Sequence, residues 1–255
     1  MVNQHQHIET TRREIDLPGL GPAFDGFRIV HLSDIHHGRH VPVKLIAEGV
    51  AAANAAEPDL VAITGDFVTG GPRFVQPCAD VLRDLTAPEG VIAVLGNHDH
   101  WAGADTVVET LAGAGIRVLR NEHRVLVRGH DRLAVIGVED LWTGGPDLDR
   151  AIDGLDAGVP RLLLTHNPDL IEELPEHGIG LALSGHTHGG QIGVPVLQGL
   201  AAPSRYGGKY AAGLVAGPTT RVYVNRGLGT VGLALRILCR PEVAVLVLRP
   251  APADR

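Results

Sequence analysis

The chain has 255 residues, 44% of them hydrophobic and 20% charged, with 33 glycines, enough to bury a sizeable core and to bend often. Its net charge of −7 argues against a nonspecific nucleic-acid binder, which carries a basic surface, so no nucleic-acid partner is expected. The two cysteines, Cys78 and Cys239, offer no disulfide framework and suit a reducing compartment as buried thiols.

Residues 1–7 read as a polar, disordered start. Arg12-Arg13 could head a twin-arginine export signal, but "EIDLPGLGP" follows where an apolar stretch would be needed. No apolar run approaches the roughly 18 residues of a membrane span. A cytoplasmic protein is therefore expected, with peripheral contact to the inner membrane face as a further option. From there, short apolar runs alternate with Ala-rich stretches. "FRIVHL" (27–32) is a predicted strand and "VKLIAEGVAAANAA" (43–56) a helix, opened by Pro42. "DLVAIT" (59–64) and "GVIAVL" (90–95) are strands, and 74–85 and 104–115 are helices. The strands "RVLVRG" and "RLAVIGV", a helix over 147–157, and the strands "RLLLT" (161–165) and "GLALS" (180–184) follow. In the Gly-rich last third, 221–225 and 242–248 are strands. Continuous apolar runs mean strands buried on both faces, and intervening helices mean an α/β sandwich. No repeat or linker divides the chain, so 1–255 is expected to form a single domain.

The ends of these strands carry the chemistry. "IVHL" is followed by Ser33-Asp34-Ile35-His36, "LVAIT" by Gly65-Asp66, and "IAVL" by Gly96-Asn97-His98-Asp99. "RLLLT" is followed by His166, and "LALS" by Gly185-His186-Thr187-His188. One histidine past a strand is usually structural. Five strands in series, each delivering a ligand-type residue where open α/β sheets hold their sites, point to a metal centre. Mixed nitrogen and oxygen donors without cysteine suit Zn, Mn or Fe better than Ca or Mg.

The series "SDIH…GD…GNHD…H…GHTH", spanning 33–190 with its flanks, resembles the calcineurin-like metallophosphoesterase superfamily. Downstream, "HGGQIG", "RYGGKYAAG" and "NRGLGTVGLALRILCRPEVAVLVL" are similar to a bacterial, YkuE- and YaeI-like subgroup that includes UDP-2,3-diacylglucosamine pyrophosphatases. The resemblance implies a four-layer α/β/β/α sandwich of mixed sheets, with a dimetal site at the strand C-terminal ends. It implies two divalent transition-metal ions (Mn, Zn or Fe), with Asp66 as their bridge. Asp34, His36 and His188 would complete one site, and Asn97, His166 and His186 the other. His98, which follows a ligand and projects differently, would stabilise phosphoryl oxygens or protonate the leaving group, with Asp99 orienting its ring. The nucleophile would be a metal-bound hydroxide. One departure is His37, where many members have Leu; an exposed or carbonyl-bonded ring is expected.

The expected activity is hydrolysis of phosphodiester or pyrophosphate bonds, with a UDP-2,3-diacylglucosamine-like, lipid-linked substrate. Alternatives are a cyclic-nucleotide or general phosphodiesterase and a phosphoprotein phosphatase; the non-enzymatic alternative is a metal-binding scaffold, which would have no use for His98. Arg205, Lys209, Arg226 and Arg236 are candidates for substrate phosphate, because the Arg fork matches its oxygens. The segment 227–238 offers a surface for acyl chains or a membrane interface, with a packed loop as the competing reading. His31 is expected to be buried and hydrogen-bonded, while His40 and His100 lie close enough to the motifs to touch substrate.

Overall fold

A computed structural model describes residues 7–194, 201–232 and 235–251. Two six-stranded sheets face each other. The first runs in the order β1 (Glu9–Leu17), β12 (Glu242–Pro250), β2 (Arg28–Leu32), β3 (Leu60–Thr64), β4 (Val91–Val94), β5 (Ile116–Val118). The second runs β10 (Gly213–Ala216), β11 (Arg221–Val224), β9 (Ile179–Ser184), β8 (Arg161–Leu164), β7 (Asp131–Gly137), β6 (Glu122–Arg128). Both are mixed. β2 through β5 are mutually parallel, as are β7, β8, β9 and β11, whereas β12 opposes β2 and the edge strands β6 and β10 oppose their neighbours.

Successive side chains of a strand point to opposite faces, and here both faces are covered. In β2, Ile29 points into the core between the sheets, with Leu60, Ile92, Leu162 and Leu246. Its neighbour Val30 points outward to a second core under the helices α1 (Val43–Ala55), α2 (Val75–Leu82) and α3 (Asn97–Gly113). Hence the unbroken apolar runs in the sequence. The outer face of the second sheet has a thinner cover. The helix expected over 147–157 is only α4 (Leu148–Ala151), started by Asp147, whose carboxylate accepts from the Arg150 N–H, and followed by Gly154 at φ +74°. Short 3-10 turns at Pro168–Glu172 and Gly207–Tyr210 complete this layer. α3 starts earlier than expected, at Asn97 itself, and is interrupted at Gly103. Among the described residues no helix is long and apolar enough to cross a membrane.

Because β2, β3 and β4 run parallel in one sheet and β8 and β9 in the other, five C-terminal ends meet at one rim, where the ligand-type residues sit. Close ties hold the sheets together there. The Asn225 side chain donates to the His31 carbonyl at 2.9 Å, and His166 donates from Nδ1 to the Thr64 carbonyl at 2.7 Å. At Gly185 a Cβ would lie 1.8 Å from the Ser33 hydroxyl, so only glycine lets the two rims approach this closely.

Candidate metal centre

All seven predicted ligands are buried and gather at this rim. Asp34, His36 and His188 form one cluster: the Nε2 atoms of His36 and His188 are 3.0 Å apart, and Asp34 Oδ1 lies 3.3 Å from His188 Nε2 and 3.8 Å from His36 Nε2. Asp66, His166 and His186 form another, with His186 Nδ1 3.2 Å from His166 Nε2. Asp66 Oδ2 joins the two, 3.4 Å from His36 Nε2 and 3.2 Å from His166 Nε2. Its other oxygen accepts the His98 main-chain N–H at 2.9 Å, which fixes the carboxylate between the clusters. Asn97 is buried beside them, at the first position of α3, and its Oδ1 has no partner among the described residues.

Five of the seven residues sit in left-handed backbone conformations: Asp34 (φ 48°), His36 (49°), Asp66 (56°), His186 (70°) and His188 (54°). For a residue with a side chain this costs on the order of 1–3 kcal/mol each, and such strain persists where the surroundings over-determine it. The surroundings here are visible. The His186 N–H donates to both Asp34 oxygens at 3.0 and 3.1 Å, and the Asp34 and His36 N–H groups donate to the Gly65 and Asp66 carbonyls.

Electrostatics favour neutral imidazoles beside carboxylates. Burial pushes His36 and His186 down to about 3 and lowers His188 as well. Burial likewise pushes the Asp34 carboxyl up to about 6. Burial works to raise Asp66 too, but the imidazoles of His166 and His36 overcome it and hold that carboxyl well below the usual carboxylate range. His166 is the exception among the rings: burial opposes its charge, yet Asp66 and Asp34 raise it well above the ordinary value. Convergent imidazole nitrogens and carboxylate oxygens, the unpartnered Asn97 Oδ1 and the buried, unpartnered His186 Nε2 together fit a pair of cations, not a packed core.

His98 stands at the edge of the cluster, half-buried, its ring 4.8 Å from that of His36 and perpendicular to it, with a ligating nitrogen in reach of Asp66 and His36. Burial lowers its pKa. Asp99 does not orient this ring. Its two oxygens accept the main-chain N–H groups of Asp66, Phe67 and Gly96 at 2.8–2.9 Å, so it shapes the Asp66 loop. Burial and the adjacent Asp66 push its carboxyl up to about 7 against those donors.

The four cations expected to meet phosphate are occupied elsewhere. Arg226 pairs with Glu242 at 3.2 Å and Glu9 at 3.0 Å. Arg236 is buried and donates to the carbonyls of Arg226, Gly227 and Gly229, beside His188 Nδ1 at 3.5 Å. Arg205 and Lys209 pair with Glu173 and Glu172 on the outer cover of the second sheet. His31 is buried and bonded to Thr64 Oγ1 at 2.8 Å, and His37 is buried with its Nδ1 donating to the Val41 carbonyl at 2.9 Å. His100 reaches Glu139, at 3.1 Å. In the 227–238 segment, Leu228 is buried under α1 whereas Ile237 and Leu238 are exposed; Leu233 lies outside the described residues.

The sequence reading missed several neighbours of the centre. Thr69 Oγ1 is 2.5 Å from His36 Nδ1, and the Thr64 carbonyl holds His166, the kind of contact that fixes which nitrogen a ligating histidine presents. The chain's two tryptophans both border the site: Trp101 packs edge-on to His98 at 4.7 Å and Trp142 to His186 at 4.4 Å, and both are largely exposed. Trp101 lies two residues past Asp99, a local signal; Trp142 is far from every motif in the sequence and carried none.

The profile of the calcineurin-like phosphoesterases matches residues 27–190. The chain is 35% identical over 95% of its length to the uncharacterized metallophosphoesterase YkuE of Bacillus subtilis, covering 86% of that protein. It is 37% identical over 87% of its length to phosphodiesterase YaeI of Escherichia coli, covering 82% of it. Among solved structures, the 5'-nucleotidase precursor of Thermus thermophilus shares the fold, with a TM-score of 0.54 at 19% identity over 89% of this chain and 55% of that one. The strand-end ligand series and these likenesses agree: the chain belongs to the calcineurin-like phosphoesterase family, hydrolases of phosphoric ester bonds.

Proposed function

We propose that the protein is a dimetal phosphohydrolase that prefers phosphodiesters or pyrophosphates to monoesters. The observation that carries this reading is Asp66 Oδ2, which faces an imidazole of each cluster at 3.2 and 3.4 Å, a position from which this carboxylate would help to hold both ions. Asp34, His36 and His188 would hold one ion with Asp66, and Asn97, His166 and His186 the other. Two bound divalent ions would supply charge for the phosphoryl oxygens and acidify water towards neutrality. The protein's own groups do the rest. Asp99 holds the Asp66 main chain, and the His98 N–H holds the Asp66 carboxylate. Burial lowers the His98 pKa, and its ring nitrogen at the edge of the cluster is placed to exchange a proton with an oxygen there, accepting as imidazole and donating as imidazolium. Trp101 covers one side of that ring.

The preference for diesters rests on charge. A monoester brings an extra negative charge and favours cations at the reacting phosphate, whereas Arg226 and Arg236 are committed to internal partners and the residues lining the cavity beside His188 include no Arg or Lys. An amphiphilic substrate is supported by a cavity of about 310 Å³ whose wall includes His188, Ile192, Pro203, Val231, Leu235 and Ile237. Apolar surface beginning at a ligand is suited to an acyl chain. The relative named as a phosphodiesterase agrees with the diester reading. The deciding experiment measures turnover of bis(4-nitrophenyl) phosphate, 4-nitrophenyl phosphate and UDP-2,3-diacylglucosamine with manganese. Diester or pyrophosphate turnover above monoester turnover is expected; a clear monoesterase would overturn the reading.

A further inference from the structure

Nine arginines of this acidic chain face a carboxylate among the described residues, and Arg120, Arg128, Arg226 and Arg249 each meet two. Arg39 and Arg73 do not. Neither has an ion pair or a hydrogen bond to its head group among the described residues. Both line a cavity of about 300 Å³ whose wall also includes His36, Gly38, His40 and Thr69. The cavity therefore opens onto His36, a candidate ligand of the metal centre.

Its wall is built rather than incidental. The Arg73 guanidinium lies 4.7 Å from the Phe74 ring centroid, a cation–π contact that orients the head group. Phe74 packs edge-on against His37 at 5.5 Å, and His37 is pinned to the Val41 carbonyl. At Gly38 a Cβ would come within 2.6 Å of the Thr69 carbonyl, so glycine permits the Arg39 turn to close on the Thr69 loop. Thr69 in turn holds His36. The same few residues thus position a metal ligand and two unneutralised guanidinium groups in one cavity.

We propose that this cavity is a subsite for a second anionic group of the substrate, a phosphate or a carboxylate, carried on the arm that leaves the centre on the His36 side. The planar guanidinium fork suits either group. The proposal rests on the reading of the centre as a phosphohydrolase site and deepens it: a pyrophosphate, or a diester with a charged arm, would be gripped in two places.

The test compares the affinities of methylenediphosphonate and methylphosphonate, by calorimetry on the manganese-loaded protein. The wild-type chain should favour the diphosphonate. In Arg39→Gln/Arg73→Gln that preference should fall on the order of ten-fold or more, the loss expected for one or two charge-assisted hydrogen bonds. Arg39→Lys/Arg73→Lys should restore part of it. An unchanged preference, or an equal fall for both phosphonates, overturns the subsite. So does an unchanged preference accompanied by lost co-sedimentation with phosphatidylglycerol vesicles, which would assign the two arginines to a membrane surface. If the wild-type protein hydrolyses no ester at all, the hydrolase reading fails while the phosphonate ratio still decides the subsite.

Discussion

The two halves of the metal centre are alike in their ligands and unlike in their surroundings. Each has two imidazoles and a share of Asp66, with Asp34 in one half and Asn97 in the other. Around His186, and around the His98 edge of the cluster, the walls are aromatic and bolted down. Trp142 sits on a turn in which the Asp140 carboxylate accepts the N–H groups of Trp142 and Thr143 at 2.9 and 3.0 Å. That turn is tied to α3, which carries Trp101, through His100 and Glu139. Around His36 and His188 the walls are two cavities, one with free arginines and one apolar, which meet along Val231. Equal ligands with unequal walls suit a substrate with two different arms on one phosphorus. The ligands set what bond is attacked; the walls set which molecule brings it.

The largest effect should come from the residue the halves share. Asp66→Asn is expected to abolish binding of both ions, read by metal analysis, and to remove measurable turnover; retention of one ion at full occupancy would show that the halves are independent. His98→Ala should keep both ions and lose about 10²–10⁴-fold in turnover, the usual span for a general acid or base; loss of an ion would make it a ligand of the His36 half.

The walls can then be separated from one another. Trp142→Ala should raise KM for bis(4-nitrophenyl) phosphate by roughly 2–10-fold, the range for one aromatic contact. Leu235→Ser should weaken turnover of a lipid-linked substrate more than that of the soluble diester. Equal losses from both changes on both substrates would mean general packing damage and would erase the distinction between walls.

The smallest effect concerns the bolt itself. Burial works to raise the Glu139 carboxyl, but His100 and Arg120 outweigh it and hold the group below its ordinary value. A depressed carboxyl stabilises the fold above its unfolded pKa and loses that contribution as pH falls through the folded value. Glu139→Gln should therefore melt about 2–4 °C lower at pH 7, the shift of about 1 kcal/mol in a chain of this size. The gap should close as pH falls through the folded value, which lies below the ordinary carboxylate range, because the wild-type group is then protonated too; a gap independent of pH would mean that charge has no part in it.

The candidate ligands were legible in the sequence because a strand end is a local feature: a buried run, then a small residue (glycine, serine or, after β8, threonine), then an Asp, Asn or His. β2, β3, β4, β8 and β9 all follow that form. Partnership is not local. Arg226 reads as free until β12 brings Glu242 beside it and β1 brings Glu9, and Arg39 reads like any loop arginine until no carboxylate arrives. Asp99 shows the same limit. Next to His98 in sequence, it serves a loop 31–33 residues earlier because it sits at the third position of a helix whose N-terminal donors and the Asp66 loop both need an acceptor. The shortfall of α4 lies in the thin outer layer, and β10, unread in the sequence, lies at a half-exposed sheet edge; in both places little burial reinforces a weak local pattern.

The order of strands in the first sheet also bears on how the chain is made. β12, the last strand described, lies between β1 and β2, paired to β1 from Glu9↔Glu242 through Leu17↔Pro250. During synthesis β1 emerges first and has no neighbour to join until nearly everything else has left the ribosome. β2, which presents Asp34, has one side open for the same interval. Such long-range closure is slow and leaves unpaired edges exposed to other chains. The nascent protein should thus depend on chaperone protection until β12 slots in, and a ribosome stalled short of β12 would display an incomplete sheet, prone to aggregate, however complete its ligand motifs.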